Sequence, residues 1–446
     1  MDTIAGLPFY ALEITKEGNV FNSQQQAAIE GAVTAAGAAK VTDFFVISHG
    51  WNNDMADARQ LYNALFANIA ALIPAHPRLA ERKFAIVGVF WPSKKFADAE
   101  LIPSGGVASL GVDDQDLEAS ALKDKLESLK GTFDRPDDAV LDRAKALVDV
   151  IEDSEAKQKE FVDLIRSLLP QHPSDVTEDG SDEFLHRPGA DILKALSAPP
   201  MFNRAADNGG ETHALGLDDD DRDATGGAVD FGDVFNGMKA AAWRLLNYAT
   251  YYQMKERAGV VGKSLNGVLG SVRKLRPDLR IHLIGHSFGA RAVTAAADGS
   301  AALRPSSMSL LQGAFSHNGF TEKFDGKSDG FFRKVVSQSK VDGPILATHT
   351  VNDRAVGIAY PLASRISFDN RADFGDENDV YGGIGRNGAV KMKPDECVKG
   401  VLLADTGTYN FSAGKVHNLL ADKYVTDHSD VKGPQIANAI VHAVGG

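Results

Sequence analysis

Short apolar runs alternate with longer amphipathic stretches along this chain, and that alternation predicts an α/β architecture. Residues 9–14 alternate as a first strand. Residues 23–38, rich in Ala and Gln, read as a helix with Ser23 as its N-cap. The run Asp-Phe-Phe-Val-Ile-Ser at 43–48 is apolar almost throughout, the pattern of a strand buried on both faces. A helix at 55–73 carries Leu61, Leu65, Ile69 and Leu72, and a second buried strand follows at 84–90. This order calls for a parallel sheet with crossover helices.

From about Lys94 to Phe231 the character changes. Charge rises, Leu recurs at helical spacing from Leu122 to Leu169, and loop-like stretches intervene at 174–182, 199–210 and 217–227. The pattern predicts an α/β core of residues 7–95 and 235–446, interrupted by a mainly helical lid or cap insertion at 96–234. Helices are expected at 237–261 and 262–275, then a strand from Ile281. Further strands are expected at 309–315, 344–349 and 415–421, and a closing helix at 435–444. A Gly- and Asp-rich excursion covers 354–412.

The chemistry is concentrated where the strand from Ile281 ends. Gly285-His286-Ser287-Phe288-Gly289 is a G-x-S-x-G pattern set between an apolar run and an Ala-rich helical run. A serine on so tight a strand-to-helix turn sits in strained backbone, and glycines two before and two after it remove side chains that would collide. The turn presents the Ser287 hydroxyl at a helix N-terminus, which favours developing negative charge.

Serine needs a base, and the base needs an orienting carboxylate. In an open α/β sheet both belong on loops at the C-terminal ends of strands. Asp353, leaving the strand at 344–349, is the expected acid, with Asp325 as its rival. His428, between the last strand and the closing helix, is the expected base, with His417 as the weaker rival. His286, although next to the serine, is expected to point away from a base's position. An acyl-transfer site also needs an oxyanion hole. The backbone N–H of Phe288 supplies one expected donor. The other is the N–H of Trp51, on the loop His49-Gly50-Trp51 that ends a buried strand. His49, His317 and Asn318 are candidate pocket residues.

Bulk properties narrow the classes. Net charge is −13 over 446 residues, which argues against nucleic acid as a main partner. The single cysteine, Cys397, has no partner for an internal disulfide, in keeping with a reducing compartment. The N-terminus lacks a signal-peptide pattern and no apolar run reaches membrane-spanning length. A cytoplasmic protein without an integral membrane segment is expected, with signal-less export left open.

The strand-His49-Gly50 segment, the Gly285–Gly289 elbow and the late Asp353 and His428 together resemble the α/β-hydrolase superfamily, in particular its serine esterases and lipases. The likeness covers roughly 7–95 and 235–446 and leaves the insertion out. It implies an eight-stranded, mostly parallel sheet, an acyl-enzyme mechanism on a small-molecule or lipid ester, and no cofactor. Alternatives on the same scaffold are an amidase, a peptidase, an acyltransferase or a non-catalytic binding protein. The oxyanion loop departs from the Gly-rich run of some lipases in having a single glycine.

Other signals read as structural. The acidic run Asp218 to Asp223 resembles a calcium loop but has Ala224 where that loop needs glycine, so a solvated loop is preferred. Asp373, Asp376, Glu377 and Asp379 read as another solvated loop. The glycine-rich 381–388 segment reads as a surface or site-edge loop. Trp243, Tyr248, Tyr251 and Tyr252 fit a helix core better than an acyl pocket.

Overall fold

A computed structural model describes residues 2–35, 40–51, 53–93, 114–135, 138–170, 181–197, 237–300, 303–353, 355–356 and 381–446. The acidic runs at 218–223 and 373–379 lie outside the described residues, as do most of the loops expected in the insertion.

The strands are β1 (Thr3–Ile4), β2 (Leu7–Glu13), β3 (Asp43–Ser48), β4 (Phe84–Phe90), β5 (Arg280–His286), β6 (Ser307–Leu311), β7 (Ile345–His349), β8 (Cys397–Val401) and β9 (Val416–Leu420). They form one sheet in the order β1-β2-β4-β3-β5-β6-β7-β9-β8. Among these described strands the β1–β2 pairing is antiparallel and the others are parallel. The protein is therefore α/β, with a nine-stranded, mostly parallel sheet flanked by helices.

The pleat explains why the central strands are apolar on both faces. Phe44, Val46, Leu283 and Leu310 pack into one cluster, which also contains Val33, Leu265, Val268 and Val293 from helices Ser23–Thr34, Met238–Leu275 and Phe288–Asp298. Their neighbours Phe45, Ile47, Ile284 and Leu311 pack into the opposite cluster, with Leu65, Phe66 and Ile440 from helices Met55–Leu72 and Pro434–Gly445. Slipping one strand by a single residue would exchange these two sets. Each large apolar side chain so buried contributes about 1.5–3 kcal/mol.

The sheet has one strand more than the resemblance implies and two more than the sequence pattern marks, because two short edge strands give little sequence signal. β1 has two residues. β8 has a largely exposed Cys-Val-Lys-Gly-Val sequence inside the expected excursion. The first helix is capped by Asn22, whose side chain accepts the Gln24 N–H, and not by Ser23. The helices expected at 237–261 and 262–275 are one helix, Met238–Leu275. Gly262 does not break it. A Cβ there would meet the carbonyl of Ala292 and the side chain of Ala295, so the glycine lets the long helix press against Phe288–Asp298. The strand expected at 309–315 begins two residues earlier and ends at Leu311.

Within the insertion, helices Asp114–Ser128, Asp138–Leu147, Glu155–Ser167 and Gly189–Leu196 share the first cluster with the long helix through Leu126, Leu141, Phe161 and Leu193. Phe184 meets Tyr248 edge-on at 5.0 Å between centroids. Gln253 Nε2 donates to Asp134 at 2.6 Å. Tyr248, Tyr251 and Tyr252 are buried, as expected of helix core.

Candidate active site

Ser287 occupies the turn between β5 and helix Phe288–Asp298 with φ 56° and ψ −124°. This lies outside every basin open to an unstrained L-residue and costs on the order of 1–3 kcal/mol. Three backbone hydrogen bonds of 3.0 Å hold it: Ser287 N–H donates to Leu311, and Ala290 and Ala314 donate to the Ser287 carbonyl. The flanking glycines follow from close approach. A Cβ on Gly285 would stand 2.5 Å from Ala290 Cα, and one on Gly289 would stand 2.6 Å from the His49 carbonyl. Among the described residues, the Ser287 hydroxyl and the Phe288 N–H have no hydrogen-bond partner.

The loop after β3 comes directly against this turn. A Cβ on Gly50 would lie 2.5 Å from Ser287 Cβ and 3.0 Å from Ser287 Oγ. His49 gives the loop its shape. Its Nε2 accepts the Trp91 N–H at 3.2 Å, so the ring proton sits on Nδ1, which donates to the Gly50 carbonyl at 2.9 Å. The Trp91 indole donates back to the His49 carbonyl at 3.1 Å, and the two rings stack at 5.4 Å. The His49 N–H donates to the Tyr62 hydroxyl, which donates to the Val89 carbonyl at 2.6 Å. With the Gly50 carbonyl held toward His49, planarity of a trans peptide turns the Trp51 N–H the opposite way. No partner of the Trp51 N–H is found among the described residues. Burial lowers the His49 pKa to about 4, so the ring is a neutral brace. Of the three candidate pocket residues, His49 borders an open cleft of about 460 Å³ shared with Ile14, Phe21, Met55 and Pro92. His317 and Asn318 are fully buried, with His317 Nδ1 3.0 Å from Asn387 Nδ2.

Asp353 and His428 come together. His428 Nδ1 donates to Asp353 Oδ2 at 2.9 Å, and Asp353 Oδ1 accepts the Val356 N–H at 3.0 Å. Asp353 is fully buried. The two loops are tied together: the Val351 N–H donates to Asp422 Oδ1, and Asn352 Nδ2 donates to the Val425 carbonyl at 3.0 Å. Burial by itself would depress the His428 pKa, but the charge and hydrogen bond of Asp353 outweigh it, and the net shift is upward. With the proton on Nδ1, the Nε2 lone pair is available to take another.

The rivals sit elsewhere. Asp325 is exposed and its carboxylate accepts the N–H groups of Lys327 and Ser328, capping a turn. His417 Nε2 accepts the Ser412 N–H at 3.0 Å, beside β8. The glycine-rich 381–388 segment is mostly buried, not a surface loop. Gly383 bridges to Ser316, and a Cβ on Gly382 would strike the His317 ring.

Two features were not foreseen. First, His286 does not point away from His428. Its Nε2 lies 2.9 Å from the main-chain carbonyl of His428, and the rings are 4.9 Å apart. Second, another Ser-His-Asp array lies at the opposite end of the sheet. His282 Nδ1 is 2.8 Å from Ser307 Oγ, and Nε2 is 3.1 Å from Asp43 Oδ1. All three are at most 1% exposed, and Arg82 neutralises Asp43, so this array is core structure without access for a substrate.

No cluster of metal-ligating side chains occurs among the described residues, and no described helix is long and apolar enough to cross a membrane. No protein-family model, no curated protein and no solved structure matches the chain.

Proposed function

We propose that this chain is a serine-dependent carboxylic-ester hydrolase of the esterase or lipase type, built on the α/β-hydrolase fold. One observation carries the reading: a serine at φ 56° on a strand-to-helix turn shares the C-terminal edge of a parallel sheet with a hydrogen-bonded Asp353–His428 pair. The chain order Ser287, Asp353, His428 is the order this fold uses.

In this mechanism His428 Nε2 takes the Ser287 proton as Oγ attacks the ester carbonyl. The Phe288 and Trp51 N–H groups stabilise the oxyanion, and Asp353 holds the imidazolium. The imidazolium then protonates the departing alcohol. Water, deprotonated by the same histidine, hydrolyses the acyl-enzyme. No cofactor enters these steps. In the same reading the helical insertion at 96–234 caps the site and shapes the acyl pocket.

The test is Ser287→Ala on purified protein with short p-nitrophenyl esters. Hydrolysis and fluorophosphonate labelling should both disappear while the circular dichroism spectrum is kept. Undiminished turnover in the variant would remove the reading. A protein that turns over anilides or transfers acyl groups faster than it hydrolyses esters would move the reading to an amidase or acyltransferase.

A further inference from the structure

We infer that His286 is a positioning residue for the base: it holds the His428 loop in place by donating its Nε2–H to the main-chain carbonyl of His428. The inference rests on the hydrolase reading above and adds to it a residue outside the Ser-Asp-His set.

Strand geometry brings the contact about. Side chains on β5 alternate between the two faces of the sheet, and Ile284 packs in the cluster opposite the elbow helix. His286, two residues on, is on that same face. The loop from β9 to helix Pro434–Gly445 is anchored there too, by Val425 and Val431 of the same cluster. His286 therefore meets the loop at its centre. A carbonyl only accepts, so the ring nitrogen 2.9 Å from it must carry the proton.

The other ring nitrogen sharpens the argument. His286 Nδ1 is buried and has no hydrogen-bond partner among the described residues, and the residue is only 6% exposed. Leaving such an atom unsatisfied costs about 1–3 kcal/mol. A phenylalanine or methionine would fill the space without that cost. What either would lack is the Nε2–H donor. Burial first, and then the nearby His428 charge, lower the His286 pKa to about 3. His286 thus stays neutral while His428 becomes an imidazolium, and no like-charge pair arises across the 4.9 Å between the rings.

Within the loop, Ser429 and Asp430 N–H groups both donate to Asp427 Oδ1, and the Thr426 N–H donates to Asp430. These bonds give the loop its internal shape. The bond from His286 fastens that shape to the strand carrying Ser287. Without it, the loop that carries His428 would lose its tie to the strand that carries Ser287, and a displacement of the base by about 1 Å costs roughly 10²-fold in rate.

The test compares His286→Gln with His286→Met, two side chains of similar length of which only glutamine offers an amide donor. The expected result is a roughly 10- to 100-fold loss of kcat in the methionine variant with KM little changed. The glutamine variant should recover most of that loss at a similar melting temperature. His286→Phe, which keeps the ring volume, serves as a second donor-free variant. An active wild type with methionine and phenylalanine variants within twofold of it, or a glutamine variant as impaired as the methionine one, overturns the inference and leaves the hydrolase reading standing. A wild type inert to esters and to fluorophosphonate overturns both.

Discussion

Asp353 and His428 are 75 positions apart in the chain, yet Asp353 Oδ2 accepts the Nδ1–H of His428 at 2.9 Å. The bond selects one tautomer of the imidazole and leaves Nε2 free. Asp353→Asn can donate to Nδ1 instead, which forces the proton onto Nε2 and removes the base. A loss of about 10³- to 10⁴-fold in kcat is expected. Steady-state kinetics on the folded variant checks it, and a loss under tenfold would mean that Asp353 does not orient the base.

The same pair sets the pH response. His428 must be neutral to accept a proton, so kcat/KM should fall on acidification, with its acid limb above the ordinary histidine value of about 6.5. In Asp353→Asn the residual activity should show that limb displaced to lower pH, since the charge that favours the imidazolium is gone. The stability contribution has the opposite sense. A folded pKa raised above the unfolded one stabilises fully below the unfolded value, and that contribution is lost as pH rises through the folded value. Activity profiles and melting curves across pH 5–9 read the two effects separately.

Gly50 stands against Ser287 so closely that Gly50→Ala forces either the loop or Ser287 to move. Loss of the proposed oxyanion donor on that loop should lower kcat about 10²- to 10³-fold. The melting temperature should fall far less than in a core truncation, because the strain is relieved by a local shift. A variant with wild-type kcat would show that the loop takes no part in the chemistry.

The buried Asp43–Arg82–His282–Ser307 array should matter for stability alone. Asp43→Asn removes the carboxylate charge that pairs with Arg82, and breaking a buried pair of this kind costs about 3–5 kcal/mol. Denaturant unfolding measures this, and fluorophosphonate labelling per folded molecule should match wild type. Acid should find the same weak point. Burial would raise the Asp43 pKa, but the hydrogen bonds from Arg82, His282 and Thr42 lower it overall. Burial lowers that of His282. Both groups stabilise above their unfolded pKa values, and their contributions are lost as pH falls.

Much of the sheet was legible because a doubly buried strand is a short apolar run with little alternative. Residues 43–48 and 84–90 form strands with the expected bounds. The edge strands were not legible. β8 is exposed along most of its length, so burial leaves no periodic mark on its residues. The boundary expected between 261 and 262 is absent, and only the neighbouring helix reveals Gly262 as a site of close packing within one continuous helix.

The sequence by itself determined the turn at Ser287, because the Gly285 and Gly289 positions and the flanking strand and helix are local requirements of one backbone conformation. It also put Asp353 and His428 on loops at the ends of strands, since hydrophobic periodicity locates strand ends. Only the tertiary structure decided which face each side chain meets. His286 and Ser287 are adjacent in sequence, but the pleat sends His286 to the face where the loop after β9 returns, and there it meets His428. The same holds for His282, whose Ser-His-Asp contacts join three strands at the closed end of the sheet. Such contacts depend on strand order and register across residues tens to hundreds of positions apart, and local pattern does not encode them.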